Sequence, residues 1–351
     1  MNLLVEPDYR TAYPPLGLLK IASMLRGQGE TVQLVKGKVV TDQPEKIFVT
    51  SLFTWEWKAV WDAIRFYQSR FPDVEIVLGG IYASLMPDHA KKSGAKVHTG
   101  LYQEAEYLLP AYDLVPEWDG SEVFSSRGCI RACDFCPVRI IEGKIRQHVN
   151  SIKPFIWPSH TKVILFDNNA IASPNWDVTW QELKDIGKKV NIREGIDARL
   201  VTDDIAKQLS ELKMIKIQTA YDNIKDRDAV LEGIKLLKKY IPKKPYAAFV
   251  LYNWKDTPTD FLQRLKELRD LNVTAFPMRW QPLNELKKNS YISPNWTRED
   301  LRNVRLLVHK HGFNSMLPSK MLPSEFKNVK DIGDMVKDRG QKTLLDLWGN
   351  L

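Results

Sequence analysis

Cysteine is almost absent from this 351-residue chain: there are three, all between positions 129 and 136. With no thiol elsewhere, a disulfide framework is excluded, and so is a second metal cluster held by protein cysteines. Long apolar runs are missing too. No window approaches the roughly 18 apolar residues that a membrane span needs. The opening residues, Met1-Asn2-Leu3-Leu4-Val5-Glu6-Pro7, lack the basic start and apolar stretch of a secretory leader. A cytoplasmic protein without a membrane partner is expected, in a reducing compartment where thiols coordinate metal. No internal repeat or low-complexity segment occurs. What remains is 44% apolar, ample for packed cores in two domains or one large barrel.

Acidic excess is confined to one end. Residues 1–120 hold 12 Lys and Arg against 15 Asp and Glu, so the net charge of +8 comes entirely from residues 121–351. A nucleic acid or a phosphorylated substrate is one reading of that excess. Scattered solvated lysines, such as Lys235, Lys238, Lys239, Lys287 and Lys288, are the plainer one, since no aromatics interleave them.

Short apolar runs alternate with helical spacing along most of the chain, the pattern of βαβ units and parallel sheets. Strands are expected over residues 2–6, 31–35, 46–51, 75–78 and 95–99, and helices over 16–26, 55–70 and 83–92. Residues 36–45 leave little room for a helix after the second strand. The fold class is therefore α/β, beginning with a small doubly wound, Rossmann-like domain over residues 1–110. The polar, proline-containing residues 111–121 read as a linker. Strands are expected again over 122–126, 162–166, 190–197, 215–220, 246–252 and 273–278, with helices over 176–188, 202–212, 227–240, 258–271 and 298–311. Six βα units in a row suggest a partial (β/α)6 barrel over residues 122–315, with chemistry at the carboxyl ends of its strands. Residues 316–351 are Lys-rich and expected to form a helical tail.

The three cysteines fall in Ser126-Arg127-Gly128-Cys129-Ile130-Arg131-Ala132-Cys133-Asp134-Phe135-Cys136, directly after the first expected barrel strand. A Cys-x3-Cys-x2-Cys run puts three soft thiolates on one tight loop, suited to gripping one face of an iron-sulfur cluster. Zinc, with His148 or Asp134 as fourth ligand, is the competing metal, but only one Cys-x2-Cys knuckle is present. The spacing, the aromatic Phe135 before the last cysteine and the position of the loop resemble the radical S-adenosylmethionine superfamily. That resemblance implies a 4Fe-4S cluster on Cys129, Cys133 and Cys136, with S-adenosylmethionine bound near Phe135 and chelating the open iron. It implies reductive cleavage to a 5′-deoxyadenosyl radical, an external one-electron donor of flavodoxin or ferredoxin type, and sensitivity to oxygen.

Later strand ends are polar. Asp167, Asn168 and Asn169 close the second barrel strand, and by the same resemblance contact S-adenosylmethionine; an Asx turn or helix cap is the bland alternative. Asp197 and Arg199 follow the third, where the guanidinium suits the methionine carboxylate, or simply its aspartate neighbour. Tyr252, Arg279 and Gln281 end the fifth and sixth strands and are the candidates for facing substrate and shielding a radical.

The first domain resembles the cobalamin-binding domains that precede some of these barrels, through Pro14-Pro15-Leu16-Gly17-Leu18-Leu19, Ser51-Leu52 and Leu78-Gly79-Gly80. Ser51, Gly79 and Gly80 would then lie against a flat corrin. The lower-ligand pattern Asp-x-His-x-x-Gly is absent, because Arg10 stands where the histidine would be. Cobalamin and an empty remnant both stay open. The expected function is hydrogen abstraction from a small-molecule or biopolymer substrate. The alternatives are cobalamin-dependent methyl transfer and, from a different class, a basic nucleic-acid-binding protein with a structural cluster.

Overall fold

The computed structural model describes residues 1–309; the expected tail and the last residues of the expected barrel lie outside them. The chain is mixed α/β with parallel sheets, and its described residues divide into two compact units, Met1–Asn191 with Pro282–Lys288 and Ile192–Gln281 with the described residues that follow Lys288.

The first unit opens with β1 (Asn2–Glu6), an apolar run buried along its whole length, as strands covered on both faces must be. Then come α1 (Leu16–Gly27), β2 (Val32–Lys36), β3 (Lys46–Val49), α2 (Trp57–Arg70), β4 (Glu75–Leu78), α3 (Ile81–Leu85), α4 (Pro87–Lys91), β5 (Lys96–Val97) and α5 (Gln103–Glu106). The five strands form one parallel sheet in the order β2-β1-β3-β4-β5. Alternation divides its side chains between two cores. Leu3, Val5, Ile47, Val49, Ile76 and Leu78 pack on Val60, Ile64 and Tyr67 of α2 and on Tyr82. Leu4, Phe48 and Val77 pack on Leu18, Ile21, Ala22 and Leu25 of α1. The helix expected over 83–92 is two short ones, because Pro87 starts its own turn at the first helical position of α4. No helix follows β2, as the short interval foretold.

The stretch read as a linker is packed, with Ala111 and Tyr112 buried and the Tyr112 hydroxyl taking the Glu122 N–H at 2.6 Å. From it the chain enters β6 (Ser121–Val123) and β7 (Ser126–Arg127), passes the cysteines and α6 (Val138–Ile141), and returns in β8 (Arg146–Gln147), antiparallel to β7. After that, β9 (Lys162–Leu165), α7 (Trp176–Ile186) and β10 (Lys189–Ile192) complete a parallel sheet ordered β10-β9-β6. The strand expected to run to residue 197 stops at Ile192.

In the second unit, α8 (Asp203–Ser210), β11 (Ile217–Ala220), α9 (Arg227–Tyr240), β12 (Tyr246–Tyr252), α10 (Pro258–Asp270), β13 (Thr274–Arg279) and α11 (Arg298–His309) follow in turn. The strands form a parallel sheet ordered β11-β12-β13. Helix α10 starts in a reciprocal cap, with Thr257 and Asp260 each accepting the other's backbone N–H. The fully buried Arg264 on that helix ties two strand ends, donating to the Tyr221 and Leu251 carbonyls at 2.9 Å each and to Asp256 at 2.6 Å. Among the described residues, no helix is long and apolar enough to cross a membrane.

Candidate metal centre

The cysteine loop leaves β7 through Gly128, whose φ of +77° and whose 2.2 Å clearance to the Lys144 carbonyl at the Cβ position admit only glycine. The close approach continues at Cys129, which bridges to Lys144 and donates its N–H to the Gly143 carbonyl at 3.4 Å. Arg139 Nη1 donates to the Cys129 carbonyl at 3.2 Å, and the Arg131 N–H points at Cys129 Sγ from 3.3 Å. A short turn, Cys136 N–H to the Cys133 carbonyl at 3.1 Å, sets the spacing of the other two. None of the three cysteines is in a disulfide, all three are partly exposed, and Phe135 between them is half-buried.

Among the described residues, no three His, Cys, Asp or Glu side chains converge closely enough to hold one metal ion. Three cysteines on one short loop are the soft donor set that either a single metal ion or an iron-sulfur cluster takes. His148 is engaged elsewhere, with its Nε2 facing Glu106 at 3.3 Å and its ring stacked on Tyr107.

Asp167 is not at the surface of this loop but beneath it. It is fully buried, and its carboxylate accepts the N–H groups of Ser125 and Ser126 at 2.7 and 2.8 Å and their hydroxyls at 2.6 and 2.5 Å. Burial pushes its carboxyl up from the usual range, and those four donors pull against that. Asn168 donates to Glu142 Oε2 at 2.9 Å, while Asn169 is buried at the start of a 3-10 turn, Ala170–Ala172.

A buried charge network, which no spacing in the sequence singles out, extends from the loop. Arg127 bridges Glu106 and Glu142 and lies flat on Phe124, its guanidinium carbon 3.3 Å from the ring centroid. Lys20 reaches the Glu106 carbonyl at 2.7 Å, and burial lowers its pKa to about 8. Glu122, on β6, is buried with neither carboxylate oxygen hydrogen-bonded, and desolvation holds it well above the usual range.

The residues expected to face a corrin behave differently from one another. Ser51 is fully buried, donating to the Gly79 carbonyl at 2.7 Å and accepting the Ala83 N–H at 3.3 Å. A Cβ at Gly80, where φ is +100°, would stand 2.1 Å from the Ser51 carbonyl oxygen, so that glycine serves packing inside the fold. Gly79 alone has open space beside it.

In the second unit, Asp197 and Arg199 satisfy each other through two guanidinium contacts of 2.7 and 3.0 Å, with Asp226 adding a third at 2.9 Å. They belong to a 3-10 turn, not to a strand. Tyr252 and Arg279 are register partners at the ends of β12 and β13. Burial pushes the Tyr252 phenol up to about 12. Arg279 donates to the Tyr291 carbonyl at 2.8 Å, and Gln281 accepts the Asn289 N–H at 2.7 Å while its amide nitrogen has no protein partner. Asp222, beyond the end of β11, has its carboxyl raised to about 6 by burial against the pull of the Leu251 N–H.

No protein-family model matches the chain, and comparison with curated proteins finds no match.

Proposed function

We propose that this chain is a radical S-adenosylmethionine enzyme, carrying one 4Fe-4S cluster on Cys129, Cys133 and Cys136 and acting on a carbon-hydrogen bond of its substrate. The observation that carries the reading is the loop itself. Three partly exposed thiols stand on a glycine-started turn beyond the carboxyl end of parallel strand β6, with an amide N–H aimed at one sulfur. Strands β6, β9 and β10 form one sheet and β11 to β13 another. The chemistry the cluster supplies when bound is one-electron reduction of S-adenosylmethionine, which yields methionine and a 5′-deoxyadenosyl radical.

The protein's own groups hold and aim. Asp167 fixes the backbone just ahead of the cysteines, Arg131 N–H supports the charge on Cys129, and Phe135 gives the loop an apolar side against which a purine can lie. Tyr252, Arg279 and Gln281 offer a buried phenol, a guanidinium and an amide for substrate. Cobalamin has one residue of three in its favour, Gly79, so the reading carried forward works without it.

Anaerobic reconstitution should give about four irons per chain and dithionite-dependent release of 5′-deoxyadenosine, both lost in Cys129→Ala. Release that persists in that variant, or a wild-type chain that takes up no iron, overturns the proposal.

A further inference from the structure

We propose that Glu142 is the positioning residue of the cysteine loop, a role that rests on reading this loop as the cluster site. Three elements meet at its carboxylate. Oε2 accepts the N–H of Gly128, the residue before Cys129, at 2.9 Å, and the amide of Asn168, just past β9, also at 2.9 Å. Oε1 accepts from Arg127 at 3.2 Å. The side chain is 13% exposed and Arg127 6%, so these charge-assisted bonds form where water competes poorly.

The backbone just after Glu142 forms the floor of the loop. Gly143 and Lys144 present the carbonyls that Cys129 and Gly128 press against. Because Gly128 has no side chain and a left-handed backbone, nothing local holds it there; the Glu142 carboxylate does so from fourteen residues away. By taking Asn168 on the same oxygen, Glu142 sets the first cysteine in register with the end of β9. Arg127 carries the constraint onward to Glu106, so the loop is anchored on β9 and α5 together.

A carboxylate in this place also contributes negative charge close to the thiols, and charge and hydrogen bonding around cluster ligands tune reduction potential and spectroscopic signature. Glu142→Gln keeps an acceptor for Gly128 and removes the charge. Glu142→Ala removes both.

The decisive measurements use the apoprotein, where no cluster is needed. Glu142→Ala orphans these donors and should lower the midpoint of urea unfolding, and under strongly native conditions, where global unfolding does not contribute, it should speed exchange of the Gly128 amide and alkylation of the three cysteines several-fold; Glu142→Gln should return both rates toward wild type. In reconstituted protein, Glu142→Gln should keep its iron and show an altered paramagnetic resonance signal and a more positive potential. Wild-type exchange and alkylation rates in Glu142→Ala overturn the proposal. Should Glu142→Ala fail to fold, Asn168→Ala makes the same rate comparison, and wild-type rates in Asn168→Ala together with a wild-type signal in reconstituted Glu142→Gln overturn it equally. A chain that binds no iron would defeat the radical reading while the apoprotein rates still decide the role of Glu142.

Discussion

Replacing Asp167 separates a strut from a ligand contact. Its carboxylate is fully buried and receives four donors, two of them backbone N–H groups. In Asp167→Ala the two serine hydroxyls can rotate to new partners, but the two amides stay buried and unsatisfied. At about 1–3 kcal/mol for each orphaned group, with a small cavity added, the loss should be about 4 kcal/mol. For a chain of this size that lowers Tm by roughly 5 °C. Asp167→Asn keeps the shape but turns one oxygen into a donor facing donors, and should lose about 2 kcal/mol. The assay is thermal and urea unfolding of the apoprotein. Were Asp167 instead a contact to S-adenosylmethionine, both variants would unfold like wild type and lose only ligand affinity. A Tm within about 1 °C of wild type for Asp167→Ala would refute the reasoning.

Two further outcomes test the local physics. Gly80→Ala drives a methyl into the Ser51 backbone and should lose about 2–4 kcal/mol, whereas Gly79→Ala meets nothing within 4 Å and should change stability by about 0.5 kcal/mol or less; equal urea midpoints would contradict the packing. Burial, with Arg127 next in size, pushes His148 down to about 4, so the folded state resists protonation that the unfolded chain accepts near 6.5. Stability is therefore whole above pH 6.5 and falls by at most about 3 kcal/mol as pH drops toward 4. His148→Gln should flatten that part of the profile, and an unchanged slope between pH 7 and 4 would count against it.

Apolar runs announce strands in sequence: residues 2–6, 75–78 and 246–252 form strands with the expected bounds. Where side chains compete for the backbone, the pattern misleads. The run over 122–126 reads as one strand, yet Ser125 and Ser126 give their N–H groups to Asp167, so the ladder breaks after Val123. The run over 190–197 ends early because Gly195 adopts φ +92° and Asp197 caps the next turn. The cysteines are legible from spacing alone. Their supports are not, since Glu142, Glu106 and Lys20 are brought to the loop by tertiary contacts that leave no periodic trace.

Asp167 lies 31 residues after Cys136. At about 5–20 residues per second of synthesis, the last cysteine emerges roughly 1.5–6 s before the carboxylate that fixes its loop. During that interval the thiols are on an unanchored segment, open to wrong metals and to oxidation. On the proposed reading of the loop as a cluster site, iron and sulfide would be retained only after β9 has docked, and a ribosome-bound chain truncated before Asp167 should be unable to keep a cluster.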